Sequence, residues 1–275
     1  MEIFETGNAL SNSFPGVNLS AIVSVLPLFL LSTLRIGSFL LSAPFFGMPG
    51  IPIQAKVVVS FILGLAVIGN FGLPSENILN GYNFIIIVFT EIAVGLSAGL
   101  ILTILFSSVA MAGEKIATSC GLGYAAQIDP LAGGQTPVVS QTLTLFLIAL
   151  FLSLDGHLIV IRVFFESFSI LPIGAMPSPA ILIGAGINAA GKMFIAAALI
   201  MLPVAGTILM INVAAGVMTR SAPQLNLFSF VFPVTILGAF IILYFSTGTM
   251  ALAFSDLIYS SIEYLENLLM DIDNG

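Results

Sequence analysis

MAGEKIATSCGLGYAAQIDPLAGG, residues 111–134, separates two strongly apolar segments, Phe84–Ala110 and Val138–Leu154. Gly113, Gly121, Gly123, Gly133 and Gly134 loosen its backbone, and Pro130 and Pro137 punctuate its far end. Ile116, Leu122, Tyr124, Ile128 and Leu131 disfavour full exposure to water. The composition suits neither a membrane span nor an ordinary soluble loop. A connection of more than ~15 residues without clear periodicity is uncommon in a compact protein and is often functional. At membrane depth, non-helical backbone persists only where protein buries it or where it lines an aqueous cavity. Two readings stay open: a loop that folds back into such a cavity and blocks it, or a long surface loop with a few apolar contacts.

The chain around this stretch has 275 residues, 59% hydrophobic and 7% charged. Its mean hydropathy is +1.17. Soluble domains carry about 25% charged residues, so the composition is that of an integral membrane protein. A net charge of -7 excludes a basic surface for nucleic acid. The single cysteine, Cys120, forms no disulfide within the chain. Glu2 and Glu5 replace the positive n-region of a signal peptide, so residues 1–18 read as a tail. No repeat of 20–50 residues is visible.

Six long apolar regions follow in order: Leu19–Phe46, Ile53–Phe71, Phe84–Ala110, Val138–Leu171, Ala180–Thr219 and Leu227–Phe254. The fold class they predict is an all-α membrane protein of about six long, kinked helical segments arranged as hairpins. Pro27 should kink the first. Pro44, Pro49 and Pro52 mark a turn, and Pro172–Pro179 a break. Ala180–Thr219 is too long for one ordinary span and is interrupted by Lys192, Pro203 and Asn212. Arg220–Asn226 is a polar turn that includes Pro223 and Gln224. Lys56, Lys115 and Arg220 fall at the first, third and fifth connections, the acidic residues of both ends on the other side. The positive-inside rule then places both termini outside the cytoplasm.

Charges inside apolar stretches need a partner or water. Arg35 and Glu91 are two of them. Arg162 and Glu166 are four apart and share a helix face, with Asp155 seven residues earlier on the same face. The preferred reading is a compensated polar stripe facing other protein; a proton relay is the alternative. Gly95, Ser97 and Gly99 spell G-x-S-x-G, but that nucleophile elbow needs a strand–turn–helix setting. Small residues packing helix against helix is the better reading. His157, the single histidine, could complete a dyad with Ser97, and nothing in the sequence brings them together. Gly186–Lys192 approaches a phosphate loop, yet Met193 stands where Ser or Thr should hold magnesium.

Ser255–Gly275 is an acidic amphipathic tail. Ile258, Ile262, Leu265, Leu269 and Ile272 recur at helical spacing. Membrane-surface helices usually carry basic residues, so docking on a protein partner is expected of this stripe; continuation of the last helix is the simpler alternative.

Taken together, the motifs resemble the FliR family of flagellar type III export-gate proteins, and more distantly their injectisome counterparts. The resemblance rests on Arg35, Ala43-Pro44, Pro52 and Lys56, on Glu91 with Gly95 and Gly99, and on Ala112-Gly113-Glu114. It continues through Gly121-Leu122, Asp129-Pro130, Gly156-His157, Ser167-Phe168 and Leu171-Pro172-Ile173-Gly174. Asn212, Gly216, Arg220, Ala222-Pro223-Gln224-Leu225 and Phe232-Pro233 complete it. Their order and spacing, from about Arg35 to Phe240, are specific together.

The resemblance implies a non-enzymatic subunit without cofactor or metal. It implies FliP and FliQ as partners in a helical gate, FlhB at its entrance, and unfolded flagellar subunits as cargo. The implied setting is the basal body in the bacterial inner membrane. A FliP-like part, 19–179, contains the loop 111–137. A FliQ-like hairpin, 180–254, has its tip at Arg220–Asn226. The segment Gly121–Pro137 corresponds to the loop that plugs the closed pore, with Gly121, Leu122, Gly123, Tyr124, Ala125, Ala126, Gln127, Ile128, Asp129 and Pro130 as its candidate residues. Arg35, Glu91, Glu114, Asp155, His157, Arg162, Glu166, Lys192 and Asn212 are the candidate intramembrane polar or assembly residues. Departures from the family's pattern lie at Ser119-Cys120, where Gln-Met is common, at Gln127, where an aromatic residue can stand, and at Asp155, where Asn is frequent. An injectisome gate subunit and a proton-coupled small-solute transporter are the competing functions.

Overall fold

The computed structural model describes residues 19–71, 82–122, 138–221 and 231–274. Among these residues there are seven helices and no strand. They are α1 (Leu19–Ser42), α2 (Ile53–Phe71), α3 (Tyr82–Ser119), α4 (Val138–Ser153), α5 (Gly156–Ile170), α6 (Pro179–Ser221) and α7 (Phe232–Asn274). Five are long and apolar enough to cross a membrane; the bent pair α4 and α5, at 68°, makes a sixth if counted as one span. The all-α reading with about six apolar regions holds.

Local chemistry sets the helix ends. Pro44 follows the last turn of α1, where Ala43 N–H still reaches Phe39 O at 2.8 Å. Pro52 opens α2 and Pro179 opens α6, positions where a missing N–H costs nothing. α6 runs unbroken through Lys192, Pro203 and Asn212 for 43 residues. At ~1.5 Å per residue that length far exceeds a ~30 Å hydrocarbon layer. The expected interruptions are absent: Lys192 and Pro203 are exposed and Asn212 is half-buried, and a proline in a membrane helix forgoes a backbone bond without ending the helix.

The chain forms two compact units whose boundaries fall inside helices. The first comprises Met1–Thr103, Val160–Gly186 and Leu265–Gly275. Its core joins Leu31, Phe39 and Leu40 of α1, Val94, Ala98 and Ile101 of α3, and Val163, Phe164 and Phe168 of α5. Phe39 stacks on Phe164 at 4.1 Å between ring centroids. Gly95 and Gly99 meet the backbone of α1 at Arg35 and Phe39 and of Ala43 just after it, leaving no room for a Cβ. The packing role of the G-x-S-x-G residues is therefore what the fold uses. Ser97 lies within α3, and its hydroxyl donates to Val94 O at 2.9 Å.

The second unit comprises Ile104–Ile159 and Ile187–Tyr264. Its core joins Leu105, Val109, Ala112 and Ile116 of α3, Leu143 and Leu147 of α4, Ala197, Ile200, Val204 and Ile208 of α6, and Phe254 and Ile258 of α7. Within it α6 and α7 run antiparallel: Lys192 lies over the Tyr264 ring at 4.1 Å, and Ile211 faces Gly238. Gly113 sits against the Ser140 backbone, and Ser140 Oγ donates to Ala110 O at 2.8 Å.

Three expectations change. Met111–Ser119 is helix rather than loop, because Val109, Ala112, Ile116, Ala117 and Cys120 form one buried face. Gly186–Lys192 is also helical, so no phosphate-cradling loop exists there. The C-terminal stripe continues α7, and Ile258, Ile262, Leu265 and Leu269 are already buried by the chain itself. These four need no partner for cover; the Ile272 side chain lies outside the described residues.

Candidate functional site

α3 ends at Ser119, and a turn carries the described chain on to Leu122. An α-helix leaves its last four carbonyls without intrahelical donors, and a buried end must find others. Here each carbonyl is met in turn. Cys120 N–H donates to Ile116 O at 3.1 Å. Leu122 N–H reaches Ala117 O at 3.0 Å and Gly121 N–H reaches Thr118 O at 3.0 Å. This is a Schellman closure, which wants glycine in the left-handed region, and Gly121 has φ 86°. Asn212 Nδ2 on α6 donates to Ser119 O at 3.3 Å. Thr235 Oγ1 on α7 donates to Cys120 O at 3.4 Å. Two arms of the second unit thus each supply one donor to adjacent carbonyls, whose partial negative charge attracts donors.

Cys120 packs under this turn at 2% exposure. Its thiol donates to Ile116 O at 2.8 Å. Burial pushes the thiol pKa above its ordinary value, which keeps it protonated and slow to react. Of the candidate plug residues, Gly121 and Leu122 belong to the stem just described; Gly123–Pro130 lie outside the described residues.

A second polar centre lies in the first unit. Arg35 Nε donates to Glu91 Oε2, and both side chains are buried. Arg35 Nη1 donates to Leu171 O at 2.9 Å, and its guanidinium lies 4.4 Å from the Phe168 ring centroid. Gly174 N–H donates to the other carboxylate oxygen of Glu91 at 3.1 Å. Gly174 has φ 90° in a turn closed by Ala175 N–H to Pro172 O at 3.0 Å, the glycine position of a type II turn. The pair therefore holds the break after α5 against α1 and α3. Sequence reasoning named Arg35 and Glu91 as charges needing partners but did not pair them, because 56 residues separate them.

The remaining candidates are dispersed. Arg162 Nε donates to Glu166 Oε1 at 2.8 Å on an exposed face of α5. Asp155 is not on that face: it sits in the break before α5 with φ 54°. The expected three-residue stripe is thus a pair. His157 is half-buried beside the Phe151 ring. Glu114 is exposed on α3, and Arg220 is exposed in the last turn of α6, where a cation complements the helix dipole. Pro223 and Gln224 lie outside the described residues. Thr235 and Tyr264 were not singled out in the sequence, and Phe168 entered only as part of the resemblance. A lone threonine two residues after Pro233 gives only a faint signal.

The two centres gather residues far apart in sequence: Arg35, Glu91, Leu171 and Gly174 at one, Gly121 and Asn212 at the other. These are elements of the resemblance set out above. The profile of bacterial export proteins, family 1, matches residues 26–261. This chain belongs to that family. Similar proteins include the flagellar biosynthetic protein FliR of Bacillus subtilis, 28% identical over 257 residues, covering 91% of this chain and 98% of the relative. FliR of Aquifex aeolicus is 33% identical over 239 residues, covering 86% and 92%. FliR of Pectobacterium carotovorum is 33% identical over 202 residues, covering 74% and 77%. The matched span of the export family contains both polar centres and every helix, in whole or in part.

Proposed function

We propose that this export-family protein is a non-enzymatic subunit of the flagellar type III export gate in the bacterial inner membrane, at the basal body. The observation that carries this reading is its similarity to flagellar FliR proteins over nearly their whole length. That similarity favours a flagellar over an injectisome gate. In this reading the chain assembles with FliP and FliQ, FlhB lies at the gate's entrance, and unfolded flagellar subunits pass through. The Gly121–Pro137 segment plugs the resting pore. The long α6 and α7, whose apolar side chains are largely exposed, supply surface for neighbouring helices and lipid.

A proton-coupled transporter is the second reading, kept by the buried Arg35–Glu91 pair. Both are tested by purifying the tagged chain from cells expressing the flagellar genes. A gate subunit emerges in a multi-protein complex, and its loss abolishes filament export. A chain that emerges alone and binds solute overturns the gate reading.

A further inference from the structure

The turn that ends α3, Ser119–Leu122, is held from two sides. We propose that Asn212 and Thr235 are positioning residues that clamp the last two carbonyls before the Gly121 turn, one from each arm of the α6–α7 pair. Ser119 O is held by Asn212 and Cys120 O by Thr235, so adjacent peptide groups answer to different helices. Thr235 is buried and Asn212 half-buried. The left-handed Gly121 that follows leaves the chain a fixed exit direction. A change in the spacing of α6 and α7 at this level cannot leave both bonds intact. The direction in which the Gly121–Leu122 turn leaves α3 is thereby coupled to the two arms. The functional weight of the clamp rests on the plug reading; the clamp itself does not.

Cys120 reports on the clamp directly. It is the chain's one cysteine, and its thiol is buried beneath the clamped turn. The experiment measures maleimide alkylation of Cys120 in the assembled complex, resolved by mass spectrometry of its peptide. Losing one hydrogen bond should open the turn more often, accelerating alkylation about three- to tenfold. Thr235→Val, close in shape but lacking the hydroxyl, and Asn212→Leu should each show this. Thr235→Ser retains the donor and should react at the wild-type rate. A parallel probe, Ser108→Cys in a Cys120→Ser background, reads the buried core of the same helix and should stay unreactive in every variant.

Wild-type alkylation rates in assembled Thr235→Val and Asn212→Leu would overturn the proposal. So would equal acceleration at position 108, which means general loosening rather than release of the stem. If Asn212→Leu does not assemble, the comparison of Thr235→Val with Thr235→Ser decides alone. The plug reading is tested separately, by leakage through a loop deletion that touches neither residue. Thiol kinetics can fail while that leak is seen, and the reverse.

Discussion

Glu91 on α3 accepts from Arg35 on α1 with one carboxylate oxygen and from the Gly174 amide with the other. One buried acid thus fixes two other parts of the first unit. Desolvating both charges is costly, and their attraction offsets that cost only while the surrounding donors are kept. The arrangement makes the pair a strong determinant of geometry and a weak source of net stability.

Breaking it from one side should be severe. Glu91→Leu or Arg35→Met leaves an uncompensated buried charge and should destabilise the chain by about 3–5 kcal/mol. The double variant Arg35→Met/Glu91→Leu should recover much of that loss. Thermal denaturation of the purified complex, with its yield, reads both effects. If the double variant assembles fully and exports nothing, the pair does more than hold the turn, and the proton-coupled reading gains ground.

Glycines should separate by what they face. Gly99→Ala places a Cβ against the backbone of Phe39 and Ala43; overpacking of this kind costs about 1–3 kcal/mol. Gly184, Gly186 and Gly191 on α6 have nothing within 4 Å. Alanine there should leave the chain as stable or stabilise its helix by up to ~1 kcal/mol. The measurement is complex formation by native gel beside the stability of the chain. Loss of assembly in a Gly191→Ala chain of normal stability would mark that face as partner-covered. Normal assembly in all three variants would mark it as facing lipid.

Asp155 holds φ 54° at the bend between α4 and α5. The left-handed region tolerates Asp and Asn and suits Gly best. Asp155→Asn should therefore be neutral and Asp155→Gly neutral or slightly stabilising. Asp155→Val should cost about 1–2 kcal/mol through backbone strain. The resemblance has Asn frequent at this position, which the backbone angle explains without any role for charge. A functional defect in Asp155→Asn with unchanged melting would show that the charge is needed after all.

How far the sequence could be read depends on the range of each interaction. The apolar regions, the breaks at Pro44, Pro52 and Pro172 and the small-residue face of Gly95 and Gly99 are local patterns, and the structure keeps them; Pro203, which ends nothing, is the exception. Glycine and charge at Gly113-Glu114-Lys115 suggested a loop, but the helix continues because Gly113 lies against Ser140, a contact with a helix beyond the loop. The stripe Ile258–Leu269 was legible as helical; its destination was not, since periodicity shows that a face is buried and never by what. The pairings of Arg35 with Glu91 and of Asn212 with Ser119 span 56 and 93 residues. No spacing rule reaches that far. A resemblance could say only that these residues recur, and the geometry supplies what they hold.

The segment beyond the stem carries the prediction with the most consequence for function. Deleting Gly123–Asp129 should leave assembly intact, because the Schellman turn and the clamping donors lie before it and α4 begins after it. Under the plug reading the resting gate should then pass ions and small solutes, since the apolar bulk of Tyr124 and Ile128 no longer excludes water. Tyr124→Gly removes one ring and should leak less than the deletion. Gly121→Val acts differently. At φ 86° a β-branched residue is strained, so the substitution should unravel the stem and lower the amount of assembled complex. The measurement is uptake of a small membrane-impermeant dye by cells carrying each variant, with assembled complex quantified in the same cells. A deletion variant that assembles and stays as tight as wild type would remove the plug from this mechanism and leave the segment as packing between subunits.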